Sequence, residues 1–90
     1  MEIVTYSYIR LVYIDGKHHD FIYANASSAK IAFSRYLDAA NKDREKYGAD
    51  ASVYTSEKSI QVNVTIRYGL AQVALVSWAA TMHTDVGFSN

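Results

Sequence analysis

The sequence predicts an α+β domain: an antiparallel sheet with one helix packed on one face, in the order ββαβββ. Three observations carry this. Residues 3–14 are crowded with β-branched and tyrosyl side chains and run straight into Asp15-Gly16. Residues 27–47 repeat apolar side chains at helical spacing and stop at Gly48. Residues 60–66 alternate strictly between apolar and polar.

The first strand, 3–14, has the composition that suits a pleated surface. Asp-Gly between apolar runs signals a hairpin, because glycine takes a positive φ without steric cost. The returning strand is then about Lys17 to Ala24. A two-residue loop sets Ile9 opposite Ile22, Arg10 opposite Phe21 and Tyr8 opposite Tyr23; a longer loop through His18-His19 shifts that register. In the helix, Ala29, Ala32, Phe33, Tyr36, Leu37, Ala40 and Tyr47 recur at the i, i+3, i+4 spacing of one face. Asn25 or Ser27 can cap its start by accepting a bond from an orphan amide, and Gly48 supplies a left-handed stop. Lys42, Arg44 and Lys46 sit at the negative end of the helix dipole.

Residues 51–55 read as a short strand and 56–58 as a turn. Ile60, Val62, Val64 and Ile66 then alternate with Gln61, Asn63, Thr65 and Arg67, which describes a strand with one buried and one solvated face. The segment after Gly69 has two readings. As a strand over 70–78, a tight turn at Tyr68-Gly69 sets Val64 opposite Val73, Val62 opposite Leu75 and Thr65 opposite Gln72, matching apolar with apolar and polar with polar. Its alanine and leucine content also fits a helix, giving the alternative order ββαββα. The strand reading is preferred. Under it Leu70, Ala74, Val76 and Trp78 project away from the Ile60–Ile66 stripe, onto a sheet face that no second helix covers. Residues 84–90 read as a loose tail.

Ninety residues form a single domain over 1–90, since a chain of this size buries roughly 64% of its unfolded surface, enough for one core. Nine basic residues balance nine acidic ones, which argues against a general nucleic-acid clamp and against an acidic mimic. The absence of cysteine excludes a disulfide framework, a thiolate metal site and a cysteine nucleophile. The N-terminus lacks the basic and apolar regions of a signal peptide, and the apolar-rich stretch 70–82 falls short of the ~20 residues of a membrane span. A cytoplasmic location is the expectation.

His18-His19-Asp20 is the one cluster of ligand-type or acid–base residues. Neighbours on a strand point to opposite faces, so the two histidines cannot jointly hold one ion, and spacing brings no third ligand. No metal site is expected. There is no Gly-x-Ser-x-Gly and no glycine-rich phosphate loop, and capping accounts for Ser27-Ser28. No catalytic residue and no cofactor are expected, and the chain reads as a non-enzyme.

Eight tyrosines are many for this length. Tyr6, Tyr8 and Tyr23 with Arg10 could form a sheet face that stacks single-stranded bases, although the RNA-recognition signature is absent. Tyrosine is equally at home as a strand former and at protein interfaces. The uncovered face with Leu70, Val76 and Trp78 is expected to bind a protein partner or a second copy, because exposed apolar patches mark interfaces. In element order and size, a ββαβββ chain without cysteine or catalytic motif resembles small phage-encoded inhibitors of bacterial defence systems. That resemblance implies docking on a defence or host protein. The leading expectation is therefore a small non-enzymatic binding module with a protein partner or as a homodimer, and no membrane association. The alternatives are a single-stranded nucleic-acid binder using the tyrosyl face, and a small-molecule-binding or enzymatic dimer with a pocket between sheet and helix.

Overall fold

A computed structural model describes residues 2–69 and 72–89. It shows the α+β architecture in the order ββαβββ: β1 (Glu2–Tyr13), β2 (His18–Tyr23), α1 (Ala26–Tyr47), β3 (Ala51–Thr55), β4 (Ser59–Tyr68) and β5 (Gln72–Ser89), with a turn of 3₁₀-helix at Gly48–Asp50. The segment with two readings is a strand. The sheet order is β2-β1-β5-β4-β3, and every neighbouring pair is antiparallel.

Helix α1 starts where the Asn25 side chain accepts the Ser28 N–H at 2.9 Å. It ends at Gly48, which has φ +55° and donates its N–H to the Arg44 carbonyl. Ala29 is buried, and Phe33 and Ala40 form one core with Ile9, Leu11, Ile60, Val62, Val64 and Ala80, with Tyr36, Leu37 and Tyr47 packed at the margin. The apolar stripe of the helix and the alternation in β4 thus meet in one core.

Both hairpins correct the expected registers. At the first, the Gly16 N–H bonds to the Tyr13 carbonyl at 2.9 Å and the Tyr13 N–H to Lys17 at 3.0 Å, with Gly16 at φ +82°. This is a three-residue loop closed by a left-handed glycine, so Ile9 faces Phe21 rather than Ile22 and Arg10 faces Asp20. At the second, Val64 faces Val76 rather than Val73, and Val62 faces Trp78. The polar-to-polar matching is lost, since Thr65 faces Leu75. A shift by an odd number of residues moves a whole strand to the other face. Val76 and Trp78 therefore lie on the helix side with the Ile60–Ile66 stripe, not away from it. Tyr23 likewise joins the helix side, opposite Ser7.

Residues 84–89, expected as a loose tail, form the far end of β5 and pair with Glu2–Ser7. This makes the sheet strongly staggered. β5 pairs with β4 through residues 72–81 and with β1 through 78–89, so only 78–81 have neighbours on both sides. The 22 residues of α1 span about 33 Å, whereas the molecule is 61 Å long. One helix cannot cover that length. The β1–β5 pair continues beyond the end of β2, at Ser7, as a two-stranded arm of Glu2–Tyr6 with Asp85–Ser89.

Candidate interaction surface

The face away from the helix carries the first candidate. Tyr6, Tyr8 and Arg10 follow one another at alternate positions of β1 and so share this face. His83 lies opposite Tyr8 on β5, and the two rings stack with centroids 4.8 Å apart and planes at 17°. The His83 Nε2 is 2.8 Å from the Thr81 hydroxyl, which fixes the ring against the strand. Tyr6 stands 6.2 Å from Tyr8 and lies across Gly87, where an added Cβ would come within 3.3 Å of its ring. The missing side chain at Gly87 is what gives Tyr6 its seat.

Arg10 completes this row, but its charge is already engaged. Its Nε and Nη2 donate to the two carboxylate oxygens of Asp20 at 2.8 and 2.9 Å, with the guanidinium 5.7 Å from the Tyr8 centroid. The bond from Arg10 holds the Asp20 carboxyl below its ordinary range, and the bond to Asp20 raises Arg10 in turn. Ile22 and Asp85 close the rim of this shallow depression. The structure thus brings together Tyr6, Tyr8 and Arg10 and leaves out Tyr23, which is on the opposite face. Two carboxylates beside one paired guanidinium leave little to attract a phosphate backbone.

The second candidate was the apolar set Leu70, Val76 and Trp78. Leu70 lies outside the described residues. Trp78 is half-buried at the edge of the core, and its indole N–H donates to Asp43 of α1 at 2.9 Å. A buried indole needs such a partner, and this bond ties the helix to the sheet. Val76 is half-exposed on the same side. The uncovered face carries Gln61, Asn63, Thr65, Ser77 and Thr81 in the middle of the sheet, with Leu75 and Ile22 exposed farther out on the same face.

Exposed large hydrophobics are spread over the molecule, Ile14, Ile22, Ile31 and Leu75 among them, and on the arm three of them are neighbours. Ile3 and Phe88 are directly opposite each other, with Val86 one step along the same side. They are 72%, 68% and 54% exposed. The arm carries this patch on the helix side of the sheet, beyond the reach of the helix. Sequence reasoning missed it because Ile3 read as an ordinary strand residue and Val86 and Phe88 as part of a tail. The alternation Thr84, Val86, Phe88 against Asp85 and Gly87 was the signal present.

The remaining chemistry is sparse. His18 and His19 lie on opposite faces of β2, His19 edge-on to Tyr13 with centroids 6.0 Å apart. Among the described residues no group of three histidine or carboxylate side chains is placed to hold a metal ion. The hollow between sheet and helix, lined by Leu11, Tyr13, Tyr36, Ala39, Asp43 and Trp78, has a volume of about 230 Å³; small-molecule sites usually hold about 300–1,000 Å³. Compared with protein-family models, curated proteins and solved structures, the chain matches none.

Proposed function

We propose that the protein is a small non-enzymatic binding module that docks on another protein through the helix-side face of its arm. The observation that carries this reading is the contiguous patch of Ile3, Val86 and Phe88 on a ribbon that, among the described residues, no element covers. Single exposed apolar residues are ordinary, but a contiguous cluster marks an interaction site. A two-stranded ribbon alone is marginally stable in water, so its projection from the core is best sustained by a contact. Covering three such side chains offers roughly 3–5 kcal/mol at the usual value for buried aliphatic and aromatic groups. Inhibition of a defence or host protein is one form such docking takes, and it agrees with the resemblance in element order and size.

The test is capture from a lysate of the encoding organism with the immobilised protein, run beside Phe88→Lys and Ile31→Lys. Ile31 is as exposed as the arm residues but sits on the outer side of the helix. The expected result is one stoichiometric protein retained by the wild type and by Ile31→Lys and lost at least tenfold with Phe88→Lys, all three giving the same far-ultraviolet spectrum. Equal retention by Phe88→Lys, or retention of single-stranded oligonucleotide instead of protein, contradicts the reading.

A further inference from the structure

The backbone of the arm carries information that its side chains do not. Where β1 meets β2, the Tyr13 N–H donates to Lys17. Peptide groups alternate sides along an antiparallel strand, so the odd-numbered peptides of β1 point toward β2 and the even-numbered ones toward β5. β2 ends at Tyr23, opposite Ser7, and the chain there turns away into the cap of α1. The N–H and C=O groups of Ile3 and Thr5 consequently face an edge with no strand beside it among the described residues.

The other edge of the arm is treated differently. On β5 the Met82 N–H donates to Lys58 at 2.8 Å, so even-numbered peptides face the β4 side. Beyond the end of β4 the next such groups are exposed, and the Val86 N–H is taken by the side chain of Asp85 at 2.8 Å. A charged residue that satisfies an edge amide is a known way to keep a strand from pairing. The β5 edge of the arm thus has one amide already engaged by a side chain, whereas the Ile3 and Thr5 groups of the β1 edge have no strand beside them among the described residues.

We infer that the open edge of β1 pairs with the same edge of a second copy, antiparallel about a twofold axis at Val4. The inference rests on the docking reading only in taking the arm as a contact element. The edge is self-complementary in parity and in length. With Val4 on the axis, Ile3 faces the partner's Thr5 and Thr5 the partner's Ile3, and each of these residues presents both N–H and C=O outward. Glu2–Tyr6 is the stretch that β2 leaves vacant, and a partner strand in this register fills it. Because the chain has no net charge, no overall repulsion opposes two copies meeting. An isologous twofold contact is also the commonest form of self-association. The axis is perpendicular to the sheet, so the two patches of Ile3, Val86 and Phe88 fall on the same side of one continuous sheet. The dimer doubles the docking surface.

Two variants test this. The chain contains no cysteine, and Val4 would face its own counterpart as a non-hydrogen-bonded pair, the closest spacing in an antiparallel sheet and one a disulfide can bridge. Val4→Cys should oxidise almost wholly to a covalent dimer. Leu75→Cys, on the same face at the other end of the molecule, should cross-link at least tenfold more slowly. Thr5→Pro removes only the outward N–H and keeps the extended backbone that an edge strand tolerates; by sedimentation equilibrium it should be a monomer where the wild type is a dimer. A wild type that stays monomeric up to millimolar concentration overturns the inference, as does equal cross-linking of the two cysteine variants or an undiminished dimer in Thr5→Pro. Should Thr5→Pro unfold, the cysteine pair decides alone. Adding Phe88→Lys to Val4→Cys separates the two readings: retained cross-linking with lost capture leaves both standing, and lost cross-linking counts against pairing through the backbone edge.

Discussion

β1 and β5 run side by side in one uninterrupted register from Tyr13 opposite Trp78 to Glu2 opposite Ser89, yet the two halves of this pair are used in different ways. In the inner half, Ile9 and Leu11 of β1 and Ala80 of β5 are buried beneath α1. In the outer half, Ile3, Val86 and Phe88 occupy the same side of the same strands and are exposed. Strand type, register and residue class are alike in both. The difference is the length of the helix, which covers about half the sheet. An apolar alternation therefore shows which way a strand faces, and the partner element decides whether that face becomes core or stays exposed. Ser7, buried opposite Thr84 with their hydroxyls 3.4 Å apart, marks the border between the two regimes.

The comparison breaks most strongly at the inner half. Phe33→Ala removes the largest helix side chain in the core, and truncation of a buried phenylalanine costs about 3–5 kcal/mol. That is a large share of the stability of a domain of this size. Urea denaturation should show the loss in full. A loss below about 1 kcal/mol would mean that the helix is not what buries this half.

Much of this was legible in the chain. The helix and its Gly48 stop followed from spacing and capping chemistry, its cap was narrowed to Asn25 or Ser27, of which Asn25 serves, and the strict alternation in β4 gave its buried face. The hairpins were legible as turns but not in register. Glycine at 16 and at 69 announces a positive φ, but loop lengths one residue apart use the same glycine and put opposite faces inward. That single ambiguity placed Trp78 on an open face and Tyr23 among the outward tyrosines. The arm was illegible for another reason. Its two strands are 83 residues apart where Val4 pairs with Gly87, and no local signal pairs segments so distant. The indole–Asp43 bond has the same non-local character.

The smallest expected effect sharpens the comparison on the outward face. Arg10–Asp20 is an exposed pair, and such pairs contribute little to stability because solvent screens them. It does set a titration. The folded-state value of Asp20 is lowered, chiefly by the hydrogen bond from Arg10. The pair's contribution is therefore present above the ordinary carboxylate range and is lost as pH falls through the lowered value. Carboxyl carbon resonances followed across acidic pH should show Asp20 titrating below the ordinary carboxylate range, and Arg10→Ala should move it back up. An unchanged Asp20 in Arg10→Ala would remove Arg10 as the cause.

The central claim, that one strand pair is core at one end and contact surface at the other, is tested most directly by urea denaturation of Ile9→Ala and Ile3→Ala in dilute solution, where each chain stands alone. Ile9 is fully buried and Ile3 is 72% exposed, on the same side of the same strand. Ile9→Ala should lose about 2–5 kcal/mol, and Ile3→Ala should stay within about 0.5 kcal/mol of the wild type. Equal losses at the two positions would show that the arm belongs to the core, and would contradict its proposed use as a contact surface.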